Sequence, residues 1–353
     1  MKKIFPFLLA AILIQSCKTD LELNAPYKDI TIVYALLNQA EDTQFIKINK
    51  AFLGEGDALL FAQIPDSNEY RSEDIEYARV HRVEGGVRTG TWDLQSMVVD
   101  RDPGPFYSPH RLFYFSDYVD SVQNGDFYIR NYLRQDAEYE LDLMIKGKQV
   151  SARTSIVNDF SYGNSPLNNP VINLYNPAQG YTTLSLKWNQ AQDGKRYQLL
   201  CHGVYSEVID GNSRLDTATL NLGTVISQDG IGGQLSIPMN GEQFYTALAN
   251  MVPVIPEAQR IIHGIDFEFV VANADLNTAL SLSEPISGIV EDRPAYSNVS
   301  NGYGVFASRL NKRVEPRKEL MGNSFNHLKD GPLTVSLNFD CFQWPDMAVP
   351  QCP

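Results

Sequence analysis

Short stretches in which apolar and polar residues alternate recur along this chain, and no other feature limits its fold so strongly. A period of two sends successive side chains to opposite faces, so each stretch reads as a strand with one buried side. Asp29 to Leu37 (DITIVYALL) and Thr43 to Asn49 (TQFIKIN) form an expected hairpin around the turn-like Asn38 to Asp42. Ile75 to Val83, Val87 to Leu94, Phe113 to Phe115, Glu138 to Ile145 and Gln149 to Val157 continue the series, with turns at Gly85-Gly86 and Gly147. Strands that follow one another, with a single short helix expected over Ala58 to Ile64, point to sandwiches and away from a βαβ sheet.

Residues 158–180 are rich in Asn, Pro, Gly and Ser and carry little periodicity, so they read as a linker. Strands resume at Thr182 to Trp188 and Arg196 to Glu207. A strand ending in Trp, a polar turn, then a strand led by Tyr197 is the pattern of fibronectin-like sandwiches, with Trp188 expected in the core. Asn240 and Gln243 are placed for a capping box. Phe244, Ala247, Leu248 and Met251 then recur at helical spacing, and Pro253 stops the helix. Ile262 to Ala272 and Leu333 to Phe339 read as further strands. The expected fold is mainly β: two immunoglobulin- or fibronectin-like β-sandwich domains, 29–157 and 181–353, with one prominent helix near 241–252 in the second.

The first residues set the compartment. Lys2 and Lys3 precede an apolar run from Ile4 to Ile14 that is too short to span a bilayer, which takes roughly 20 residues. The run fits a secretory signal over 1–16. Its end, Ile14-Gln-Ser-Cys17, resembles the lipobox of bacterial lipoproteins, which implies acylation of Cys17 and a lipidated tether over 17–28. Two or three acyl chains anchor stably where one is marginal. Lys18 at the second mature position argues against inner-membrane retention. Asp20 and Glu22, interrupted by Leu21, partly match an acidic export signal of Bacteroidota-type lipoproteins. The expected location is therefore the outer membrane, lipid-anchored and facing the cell surface, with the periplasmic face as the other orientation.

Without the leader the chain has 27 basic and 42 acidic residues, a net charge of −15. An acidic surface with no basic tract disfavours nucleic acid and anionic headgroups as partners. In an oxidising envelope Cys341 and Cys352 could close a short loop as a disulfide, contributing about 3 kcal/mol in the chain-entropy picture. Cys201, in an apolar strand, reads as a buried thiol.

No catalytic constellation emerges. The five histidines lie far apart, and His-Glu-x-x-His, Cys-x-x-Cys and Gly-x-Ser-x-Gly strings are missing from the sequence. Asp100 to Gly104 reads as a turn and not a calcium loop, so neither a metal nor a cofactor is expected. Asp120-Ser121-Val and Asp216-Thr217-Ala resemble a Bacteroidota-type O-glycosylation acceptor, which makes Ser121 and Thr217 candidate modification sites. Phe106 to Tyr118 is dense in aromatics and serves either a core or an interface.

The stretch Ser297-Asn-Val-Ser-Asn-Gly-Tyr-Gly-Val-Phe306 resembles a recurrent segment of a family of Bacteroidota-type outer-membrane lipoproteins known only as a domain of unknown function. Members are often encoded beside TonB-dependent receptors. The resemblance implies a non-catalytic accessory or ligand-presenting subunit of a membrane β-barrel complex. A free-standing surface adhesin or glycan-binding module is the alternative. An envelope hydrolase would need a His beside Ser or Asp in a pocket. Physically, Gly302 and Gly304 mark positive-φ or close-approach positions before a strand.

Overall fold

The computed structural model describes residues 30–51, 57–116, 133–228, 232–284 and 295–340. Cys17, Ser121, Cys341 and Cys352, together with the leader and tether, lie outside the described residues. The protein is mainly β, with 52% of it strand and 17% helix, arranged in several sheets.

In the first part of the chain the strands are β1 (Ile30–Asn38), β2 (Thr43–Ala51), β3 (Ile75–Glu84), β4 (Val87–Asp93), β5 (Gln95–Val99), β6 (His110–Ser116), β7 (Glu138–Ile145) and β8 (Lys148–Ser155). Two short helices, α1 (Ala58–Ala62) and α2 (Pro65–Asn68), lie between β2 and β3. Further along come β9 (Val171–Ile172), β10 (Tyr175–Asn176), β11 (Gly180–Tyr181), β12 (Thr183–Asn189), β13 (Arg196–Ile209), β14 (Asn212–Ile226) and β15 (Gln234–Asn240). Helix α3 (Gly241–Met251), β16 (Gln259–Ala272), helix α4 (Ala274–Ser283), β17 (Val299–Ser300), β18 (Gly302–Arg313), β19 (Glu319–Leu320) and helix α5 (Gly322–Asp330) complete the order.

One eight-stranded sheet, in the order β14-β13-β16-β18-β1-β2-β6-β5, takes strands from both ends of the sequence. Its middle seam is parallel: β1 runs alongside β18, with Val33 level with Gly304 and Tyr34 with Val305. A five-stranded sheet, β17-β8-β7-β3-β4, packs against the β1-β2-β6 part. Val33, Leu37, Ile46, Tyr139, Leu141 and Phe306 fill the space between them and are almost completely shielded from water.

Ser297 to Phe306 joins the two sheets. Val299 and Ser300 pair with β8 of the smaller sheet, and Gly302 onward pairs with β1 of the larger. Between them Asn301 takes a left-handed φ of 56°. The Asn298 side chain behaves like a strand partner, donating to the Phe306 carbonyl at 2.7 Å and accepting from the Phe306 N–H at 3.0 Å. Both glycines are close-approach positions, because a Cβ on Gly302 would stand 2.9 Å from the Thr31 carbonyl oxygen.

A second core lies under β13 and β16. Residues 158–180 take part in it: Leu167, Ile172 and Leu174 are buried there. The strand pair expected around Trp188 forms, but its members go to different sheets. β12 pairs with β15, whereas β13 lies between β14 and β16. The buried Trp188 and Tyr197 rings meet across the layers with centroids 5.7 Å apart. Tyr197 accepts from the Ala191 N–H at 2.8 Å and closes the polar turn, while burial pushes its phenol up to about 12. Helix α3 carries the expected capping box, with Asn240 accepting from Glu242 N–H at 2.8 Å and Gln243 reaching back.

The expected strand at Leu333 to Phe339 is not one. Val335–Leu337 forms a 3-10 turn, and Asn338 takes a left-handed φ of 55°. Thr334 supplies the reason: its hydroxyl donates to the Leu328 carbonyl at 2.6 Å, folding the segment back on α5.

Candidate binding face

Strand β1, in the middle of the large sheet, is apolar on both faces. In β1 the inward set Val33, Ala35 and Leu37 is buried, while Ile30, Tyr34 and Leu36 point outward and are 39%, 51% and 37% exposed. Register carries the stripe sideways. Tyr34 lies level with Val305 on one side and Lys47 on the other, and Phe45 lies level with Tyr114. The Phe45 and Tyr114 rings are 6.3 Å apart, and the Tyr114 hydroxyl donates to the Gln95 side-chain carbonyl at 2.8 Å. Tyr303 extends the face onto β18. A contiguous apolar patch of this kind on a soluble protein marks an interaction surface, whereas scattered apolar residues do not.

Helix α4 turns part of this face into a groove. Its N-cap Asn273 accepts from the Leu276 N–H at 3.0 Å and donates to the buried Thr154 hydroxyl at 2.7 Å, tying the helix start to β8. None of α4's residues is buried, although Leu276, Leu280 and Leu282 are apolar. With Tyr34, Tyr303 and Tyr296 they line a cavity of about 540 Å³, within the usual size of ligand sites. Tyr296 is held by a short hydrogen bond to Asp275; burial, then that carboxylate, pushes its phenol up.

Polar constellations lie elsewhere. His81 bonds Thr91 at 2.8 Å on one side and stands 3.6 Å from Asp142 on the other. His202 repeats the pattern in the large sheet, with Thr219 at 2.9 Å and Glu268 at 3.3 Å. Both are ladders across three adjacent strands, the sheet's usual way of pairing side chains. Ser206 and His263 share a hydrogen bond at 2.6 Å, the only Ser–His bond recorded among the described residues. No carboxylate among the described residues pairs with His263 to orient it, and burial and Arg317 lower its proton affinity. A nucleophile needs that orienting group together with donors for the developing oxyanion. None of these eight residues lines the groove beside α4. Among the described residues no cluster of three or more His, Cys, Asp or Glu side chains could hold a metal.

Of the residues singled out from sequence, Thr217 is exposed on β14, where its N–H donates to the Asp216 carboxylate at 2.8 Å. Cys201 is fully buried and free, and desolvation raises its thiol well above the ordinary range. The aromatic run after Pro105 splits by alternation: Phe113 and Phe115 enter the core, Tyr114 joins the outer face, and Phe106 and Tyr107 stay exposed. The outward half of β1 escaped sequence reading; the signal was there, since Ile30, Ile32, Tyr34 and Leu36 leave that strand no polar side.

No protein-family model matches the chain, and no curated protein matches it by sequence.

Proposed function

We propose that this protein is a non-catalytic, lipid-anchored outer-membrane lipoprotein whose exposed sheet face docks on a membrane β-barrel of the TonB-dependent transporter type, as an accessory or ligand-presenting subunit. The observation that carries this reading is the outward stripe Tyr34, Leu36, Phe45 and Tyr303 beside the groove under α4. Tyrosine-rich apolar surface is typical of the buried centre of an interface. The signal-like run ending at Cys17 supports the anchor, and no helix among the described residues is long and apolar enough to cross a membrane. The buried Trp188–Tyr197 contact between layers supports reading the architecture as immunoglobulin- or fibronectin-like sandwiches.

A second reading, a glycan-binding module, is favoured by one observation: the neighbouring outward rings of Phe45 and Tyr114 form a platform on which a sugar could stack. Purification of the tagged lipoprotein from its own membranes in mild detergent, with cross-linking and mass spectrometry, separates the two. A stoichiometric barrel protein supports the docking reading. Recovery of the lipoprotein alone, under conditions that keep other envelope complexes intact, contradicts it and directs attention to glycan arrays.

A further inference from the structure

We infer that the outer face of the large sheet also holds an oxyanion site, where β2, β6 and the loop after β5 come together, built from Lys47, Arg101 and His110. This goes beyond the docking reading and does not depend on it. The placement follows from register. Phe45 and Tyr114 are cross-strand partners on the outer face, so Lys47 and Asn49 on β2 share that face with Leu112 and His110 on β6. His110 in turn lies level with Val99 on β5, and Arg101 follows two residues later. The Arg101 N–H donates to the Ser108 hydroxyl at 3.0 Å, which holds the loop closed beside His110, and the guanidinium lies over the Phe106 ring at 5.4 Å.

Two independent features point to a ligand. First, two side-chain nitrogens here, Arg101 Nε and His110 Nδ1, are shielded from water yet have no hydrogen-bond partner. Buried polar atoms are nearly always satisfied, and both nitrogens can donate to an anion. Second, the charges are unbalanced. On a chain of net charge −13, Arg71, Arg79, Arg88, Arg153, Arg260 and Arg317 all have carboxylate partners, whereas neither Lys47 nor Arg101 has one among the described residues. The charged groups facing them are each other, His110 and Glu69. Glu69 supplies one opposing charge against these three basic groups, and one of its oxygens accepts the Arg111 N–H at 3.0 Å. Burial and then the mutual repulsion with Arg101 lower the proton affinity of both Lys47 and His110. An arriving carboxylate or phosphate would relieve that repulsion and accept the orphaned donors.

The test is a titration of the detergent-solubilised full chain, labelled in its histidines, with inorganic phosphate and separately with acetate, at constant ionic strength set by chloride. The His110 signals are identified by their loss in His110→Gln. Saturable movement of those signals with either probe is expected, and the stronger probe tells phosphate from carboxylate recognition. Lys47→Gln and Arg101→Gln should each weaken binding about tenfold while their circular dichroism stays that of the parent. Signals that respond to both probes only as to chloride would overturn the site, as would full affinity in both folded variants.

Discussion

Gly304 lies directly opposite Val33 across the parallel seam, so close that a Cβ on it would stand 1.9 Å from the Val33 carbonyl oxygen. The same residue has a φ of +126°, which side-chain-bearing residues rarely adopt. The seam joins strands more than 260 residues apart in sequence and sets Tyr303 beside Ile32 on the outer face. Gly304→Ala combines backbone strain with a main-chain clash and is expected to destabilise the fold by about 2–4 kcal/mol. Urea denaturation checks it; a parental midpoint would mean the seam is looser than described.

Arg260, like Lys318, is a fully buried basic side chain among the described residues. Its guanidinium donates to Glu207 Oε2 at 2.6 and 3.1 Å, to the Leu337 carbonyl at 2.6 Å and to the Pro253 carbonyl at 2.8 Å. It thereby ties β13 to the loop after α3 and to the 3-10 turn near the end of the described chain. Removing one partner of a buried pair leaves the other uncompensated, so Glu207→Gln or Arg260→Met should each lower stability by about 3–5 kcal/mol. The double variant should lose less than the sum of the two. Additive losses in chemical denaturation would contradict a coupled pair.

His81 is buried, and desolvation followed by Arg88 lowers its proton affinity, with Asp142 opposing. The folded state therefore binds this proton less readily than the unfolded chain. The stabilisation is fully present above the ordinary histidine value of 6.5 and is lost as pH falls below it. Stability measured between pH 7.5 and 5 should decline, and His81→Gln should flatten part of that decline. An unchanged slope in the variant would remove His81 from the account.

The outward residues of β1 support no core, so changing them should leave folding intact. Tyr34→Ser with Leu36→Ser is expected to shift stability by no more than about 0.5 kcal/mol per site while abolishing co-purification of a barrel partner. Loss of partner together with loss of fold would make the result structural and not an interface effect.

How far the sequence foretold this arrangement depended on range. Local signals were sound: the Asn240–Gln243 capping box and the turns at Gly85-Gly86 and Gly147 sit where their chemistry placed them, and Gly302 and Gly304 are close-approach positions as expected, although they lie within β18 and not before it. Partner choice was not legible, because nothing near Thr183 announces that β12 will pair with β15 while β13 joins another sheet. Leu333 to Phe339 shows the limit of alternation: the pattern suits a strand, but the Thr334 hydroxyl bond and the left-handed Asn338 decide for a turn. For the binding face, the sequence showed that β1 has no polar side, but only the exposure of Ile30, Tyr34 and Leu36 in the folded chain showed that its second side is open.

The most direct measurement places a photo-reactive amino acid at Tyr34 and at Tyr303 on the outer face, and at Thr89 on β4 as a control, then irradiates cells producing the full-length lipoprotein. The docking account predicts adducts with one outer-membrane β-barrel protein from positions 34 and 303 and none from position 89. Adducts from all three positions alike, or none from the outer face while the lipoprotein is folded and membrane-bound, would contradict it.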